Sequence, residues 1–517
     1  MRPGRLFLLV GLCLLAGLFA TAGLAAHTHA AAPTTISFGV TEDAMKYSPD
    51  GGAYYFSVLR DLGMTEDRVI VFWDENTPTK LLEEPFLDRM MVAAAGTRIV
   101  LAIQPIHALA FAQQTAAKVA AFAAYVRQVA LRYPQVSEYV IGNEPNVKRF
   151  SQPQHAADGT ILSAQIYEQV LAASYDALKT VNPKIVVDGL ALSPQGNDAP
   201  AGAGAEGVSP VRFIAALGAA YRQSGRAAPI ADVIDVHSYA AVNNLPLVQP
   251  RKWPQAGPAD LDRLKQAWWD AFHGTAQPLV QETGQRPAPT KTYVRFRIDE
   301  SGTQVKIDPT KVSAKLYSGR ENVPTVDEAT QAKYYTDVIN LVKCDPTVET
   351  LDLFHLVDEP LLLGFQSGLL RVDGSKRPSY FAVKSAVAAA GACARTHGWK
   401  HTTTVIGARG IWNLALKPTK QITFWSRVGT GEEATAETGI FPVSSAASPA
   451  SISQSLDGGT STAVMQMGGL VGANSVRAFK FHGRSLPAGR YVFAALVKAT
   501  MDPARTKLLV SKPFTVR

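Results

Sequence analysis

Between about residues 35 and 397, short apolar runs alternate with segments of helical periodicity. The runs are ISFGV (36–40), RVIVFW (68–73), RIVLAI (98–103), EYVIG (138–142), KIVVDGL (184–190), VIDVHSY (233–239), PLVQE (278–282) and TLDLFHL (350–356). Continuous runs of Val, Ile and Leu fit strands buried on both faces, as in parallel sheets. Between them, AAKVAAFAAYVRQVALRYP and DEATQAKYYTDVINLVK space their apolar residues as amphipathic helices do. Eight such βα units predict an α/β fold, a (β/α)₈ TIM barrel over 33–397. Past ACARTHGWKHTTT the helical spacing stops. Alternating runs such as KQITFWSRV, VRAFKF and GRYVFAALVKA, separated by LDGG and LPAG, predict an all-β sandwich of immunoglobulin-like type over 400–517.

Two features modify this outline. Residues 1–32 carry Arg2 and Arg5, a long apolar run and a small-residue stretch, the pattern of a secretory signal, with an uncleaved anchor as the alternative. The mature protein is then expected outside the cytoplasm: secreted, periplasmic or at the cell surface, and not in a membrane once the signal is cleaved. The segment 285–325, with the hairpin-like YVRFRIDESGTQVKID, reads as an insertion after strand seven that shapes one end of a cleft.

Composition narrows the function. The chain of 517 residues is 47% hydrophobic and 18% charged, as globular proteins are. Its formal charge of +8 is spread without an Arg-rich run, which offers nothing for nucleic acid. Cys13 lies in the signal, and the remaining pair, Cys344 and Cys393, suggests one disulfide in an oxidising compartment. Three cysteines are too few for a thiolate zinc site, and neither HExxH nor a P-loop is present, so no metal is expected. GAGAEG (202–207) sits in a Gly/Ala/Pro loop and does not open a helix after a strand, so no cofactor is expected.

Barrels present function at the C-terminal ends of their strands. IGNEPN (141–146) breaks an apolar run with residues that strands disfavour, and puts Asn143 and Glu144 at the end of strand four. QETG puts Glu282 at the end of strand seven. Two opposed carboxylates are what glycoside hydrolysis needs, one to protonate the leaving oxygen and one to attack. With DVHSY on strand six and LVDEPLLLGFQSGLLRVDGSKRPSYFAVKSA after strand eight, the chain resembles the large clan of retaining (β/α)₈ glycoside hydrolases, clan A-like and family 5/39-like.

That resemblance implies Glu144 as acid/base and Glu282 as nucleophile, about 5–5.5 Å apart. It implies Asn143 on the sugar 2-hydroxyl, Tyr239 donating to Glu282, and His237 lining the same pocket. Trp73, Phe354 and His355 are the remaining candidates for substrate contact. Phe354 or His355 stands where many relatives carry a Trp, and Asp358 or Glu359 is placed to meet a polar or charged sugar. The rival reading is a carbohydrate-binding or cell-surface protein on a barrel that has lost catalysis. The carbohydrate is the one partner implied, and oligomeric state is left open.

Overall fold

The computed structural model describes residues 36–199, 206–283, 292–391, 393, 396–416, 422–443, 448–459, 462–481 and 486–516. The signal region and most of GAGAEG lie outside them. Eight parallel strands close a barrel in sequence order: β1 (Ser37–Thr41), β2 (Glu66–Trp73), β3 (Arg98–Pro105), β4 (Glu138–Ile141), β5 (Val186–Leu192), β6 (Val233–His237), β7 (Arg295–Glu300) and β8 (Val348–Leu353). Helices pack outside it, the longest being Thr115–Arg132 and Leu162–Val181. Among the described residues, no helix is long and apolar enough to cross a membrane.

Seven of the predicted runs overlap these strands; the seventh strand corrects the sequence reading. PLVQE is not in the barrel. Val280 makes a single parallel bridge to Val294, just before β7 begins. The barrel strand is RFRIDE, within the hairpin-like stretch, so the 285–325 segment supplies part of the barrel and is not an insertion beyond it.

Charge inside the barrel explains the misreading. Arg297 on β7 is fully buried and reaches Glu66, Glu138 (2.5 Å), Asp188 (3.0 Å) and Asp352 (3.2 Å), one carboxylate from each of four other strands. Arg98 caps the group through Glu66 and Glu138 (2.7 Å). A strand whose inward positions are Arg and Asp lacks the apolar signature of a buried strand, because ion pairs take the place of apolar packing. Gly39 on β1 makes room for the network, since a Cβ there would lie 2.4 Å from Asp352 Oδ1. Burial pushes the Asp188 and Asp352 carboxyls well above the usual range, with nearby Glu138 and Glu66 adding to it.

The C-terminal part has two antiparallel sheets, as expected. β9 (Arg409–Leu416), β10 (Ile422–Thr430) and β13 (Ser475–Phe481) form one. β11 (Ala434–Pro442), β12 (Met465–Val471), β14 (Gly489–Ala499) and β15 (Thr506–Val510) form the other, with β16 (Phe514–Val516) on β14. Trp412 stacks on Phe493 at 5.7 Å, against the sandwich core. Buried Arg505 ties the two parts together, meeting Asp270 of the barrel (2.8 Å) and Glu432 of the sandwich (2.7 Å). Cys344 and Cys393 are joined as a disulfide across 49 residues.

Because Arg297 is the fully buried cation shared by Glu66, Glu138, Asp188 and Asp352, Arg297→Met should cost about 3–5 kcal/mol at pH 7 by urea unfolding. The loss should shrink at pH 5, where the orphaned carboxyls can protonate. A neutral or stabilising result at pH 7 would refute this account of the interior.

Candidate functional site

The stretch IGNEPN turns sharply as it leaves β4. Gly142 takes a φ of 81°, and Glu144, a non-glycine residue, takes 38°. The left-handed region costs a side chain about 1 kcal/mol or more and is sustained only where the surroundings enforce it. Here Glu144 N–H donates to the Ala191 carbonyl (2.9 Å). Asn146, fully buried, donates to the Ser193 and Val208 carbonyls (3.0 and 2.8 Å). The turn aims the Glu144 carboxylate into the barrel mouth.

There it meets His237 at the end of β6, with Nδ1 2.8 Å from Glu144 Oε1. The same Nδ1 lies 3.4 Å from Oε2 of Glu300, the last residue of β7. Laid end to end, these contacts bound the gap between the two carboxylate oxygens at 6.2 Å. Tyr239 donates its hydroxyl to Glu300 Oε2 (2.7 Å). Burial, and then the Glu300 charge, push the Tyr239 phenol well above its usual range, so it remains a donor.

Arg68 on β2 completes the group. Its Nη1 reaches Glu300 Oε1 (3.0 Å), its Nη2 donates to Asn143 Oδ1 (2.9 Å), and its Nε meets Asp299 Oδ2 (2.6 Å). Asn143 thereby commits its oxygen to Arg68 and keeps its amide N–H groups for the cleft. Asp299 also lies 3.2 Å from His237 Nε2. Burial alone would raise the Asp299 carboxyl, but Arg68 and His237 outweigh it and hold it below the usual range.

Glu144, Asn143, His237 and Tyr239 thus converge as the sequence indicated. Glu282 does not. It accepts from the backbone N–H of His401 (2.8 Å) and from its ring, near the start of β7, with Glu300 at that strand's far end. Its carboxyl, raised by burial, is brought below the usual range by those His401 bonds. The residue facing Glu144 is Glu300, within the DESG stretch of the supposed hairpin.

Trp73 is a second correction. It is fully buried, stacked on Phe111 (5.7 Å) and edge-on to Phe122 (5.2 Å), with its indole N–H on the Pro78 carbonyl (3.2 Å). Its ring is core and offers no platform. Phe354 stays at the mouth, edge-on to Tyr239 at 6.0 Å. His355 is buried behind it, on the Thr41 carbonyl (2.9 Å) and Glu359 (3.3 Å). Asp358 is consumed by Arg377 in a two-pronged pair (2.5 and 2.6 Å) and by Tyr317 (2.7 Å). Arg68 and Glu300 were missed; a charge at the head of an apolar run, RVIVFW, and an acid before Ser-Gly were the available signals. Asp74, Glu75 and His107 are the one cluster among the described residues close enough to share an ion, and they lie at the rim.

A (β/α)₈ barrel whose mouth holds two carboxylates bridged by an imidazole is the class of protein these features define. No protein-family model matches the chain, and no curated protein does. In structure it is similar to a monomeric β-xylosidase from Caulobacter crescentus CB15, at 15% identity over 91% of this chain and 97% of that one, TM-score 0.43. It is also similar to GH5_18 from Streptomyces cattleya in complex with GlcNAc (17%, 72% and 84%, 0.45) and to a β-glucuronidase from Bacteroides uniformis (11%, 93% and 46%, 0.42). At these values the likeness carries nothing about activity, and the barrel stands on its own strand pairing.

Burial would lower the His237 pKa, but Glu300 and Asp299, with hydrogen bonds to Asp299 and Glu144, raise it to about 10. A group raised on folding stabilises the native state fully below its ordinary value, about 6.5, and loses that contribution as pH rises through about 10. Urea midpoints of the wild type should therefore fall between pH 6.5 and 10, and His237→Gln should flatten that decline. Parallel curves for the two proteins would contradict the assignment.

Proposed function

We propose that the chain is a retaining glycoside hydrolase, with Glu144 as general acid/base and Glu300 as nucleophile. The single observation that carries this is the shared contact of both carboxylates with His237 Nδ1, which keeps Glu144 Oε1 within 6.2 Å of Glu300 Oε2. Carboxyl groups about 5–5.5 Å apart suit attack on the anomeric carbon; about 6.5–9.5 Å is needed to seat a water for inversion. Arg68 and Tyr239 each bond one Glu300 oxygen and aim the carboxylate. In the first step Glu144 gives its proton to the leaving oxygen while Glu300 bonds to the anomeric carbon. In the second, Glu144 takes a proton from water, whose oxygen displaces Glu300. Asn143 donates to the sugar, a contact worth most as oxocarbenium character develops.

Export through the N-terminal segment is part of this proposal, supported by its Arg-then-apolar pattern and by the disulfide. The rival reading, a barrel that binds sugar without cleaving it, is disfavoured by the complete set of Arg68, Asn143, Glu144, His237, Tyr239 and Glu300.

The test is sugar release from aryl glycosides and polysaccharides. Glu300→Ala should abolish turnover, with azide restoring activity by a single displacement and yielding a glycosyl azide of inverted anomeric configuration. Glu144→Ala should lower kcat about 10²–10⁴-fold. Glu282→Ala should keep turnover within a few-fold. Loss of turnover in Glu282→Ala with azide rescue there, and not in Glu300→Ala, would overturn the assignment.

A further inference from the structure

We propose that the cavity beside the Glu144 loop is a subsite for an anionic sugar residue, whose charge is taken by Lys148 and Arg149. This rests on the glycosidase reading above and names the substrate class for it. After Glu144 the chain makes one turn, in which Val147 N–H donates to the Glu144 carbonyl (3.0 Å), and then delivers Lys148 and Arg149 to the wall of a cavity of about 700 Å³. That volume is in the range of saccharide-sized pockets, about 300–1,000 Å³.

The wall is built rather than loose. Asn146 pins the loop to Ser193 and Val208, and Lys148 N–H donates to the Glu206 carbonyl (2.9 Å). Gln152, Asn197 and Gln255 add side-chain amides to the lining, the groups that suit sugar hydroxyls. Among the described residues the lining holds one acid, Glu206, and its carboxylate is occupied by His155 Nδ1 (2.9 Å).

Lys148 and Arg149 make no close ion pair among the described residues; the nearby Glu359 carboxyl is lowered chiefly by His355, with Arg149 acting on it only from a distance. Arg149 is exposed, its guanidinium over the neighbouring Phe150 ring. Two adjacent cations facing an amide-lined cavity match a sugar carrying a carboxylate or a sulfate ester. A guanidinium can grip two oxygens of either, and an ammonium adds a point charge.

Binding to four probes tests this independently of turnover: polygalacturonate, hyaluronan, and the carboxyl-reduced form of each. Chondroitin sulfate against its desulfated form separates sulfate from carboxylate as the recognised group. At least one anionic polymer should bind the full chain about 10-fold to 100-fold more tightly than its neutral counterpart. Lys148→Ala/Arg149→Ala should bring that ratio close to one. Arg60→Ala/Arg127→Ala, which removes the same charge from exposed helix faces, should preserve it. Equal binding of charged and neutral polymers overturns the proposal, as does a ratio that survives the Lys148/Arg149 change or falls equally in the control. If the glycosidase reading fails, no sugar is released from any substrate while the binding ratio is still measured.

Discussion

One buried guanidinium organises the mouth of this barrel. Arg68 spends its three nitrogens on Asp299, Glu300 and Asn143, so that a single planar fork fixes groups from β7 and from the end of β4. Its own burial is tolerable because those acids are there, and with His237 it holds the Asp299 carboxyl below the usual range. Asp299 then passes the order on to His237, which touches both Glu144 and Glu300. Geometry at the mouth is therefore set from beneath, by charge compensation among strands, and less by the loops around it.

The same logic runs deeper. Arg297 repeats the arrangement one layer below with acids from β2, β4, β5 and β8. A barrel filled this way gives up some apolar packing and gains directional contacts that forbid register slips, since a one-residue shift would bury an unpaired charge. Near the exit of β4 the backbone is held in the left-handed region at Glu144, and again at Leu190 and Ala191 on β5, where Ala191 accepts from Glu144 N–H. Local backbone cost is thus gathered where the carboxylate must point.

Much of this was legible in the residues. Apolar runs marked seven barrel strands, and IGNEPN and DVHSY marked Asn143, Glu144, His237 and Tyr239, because local rules break where function needs them to. β7 was not legible: its inward positions, Arg297 and Asp299, are charged, and only tertiary pairing makes them interior residues. The apolar run PLVQE drew the assignment to itself, and Glu282 with it, although that acid serves His401 beside the sandwich. Trp73 was misplaced for the opposite reason. A strand-end aromatic can face the mouth or the helices, and only the packing of Phe111 and Phe122 decides.

The most direct measurement is to trap the enzyme with a 2-fluoro glycoside bearing a good leaving group, digest it, and locate the label by mass spectrometry. The account predicts one glycosyl group, on Glu300 in the peptide containing RIDESG. A label on Glu282, or turnover through inversion with no trapped species, would contradict it.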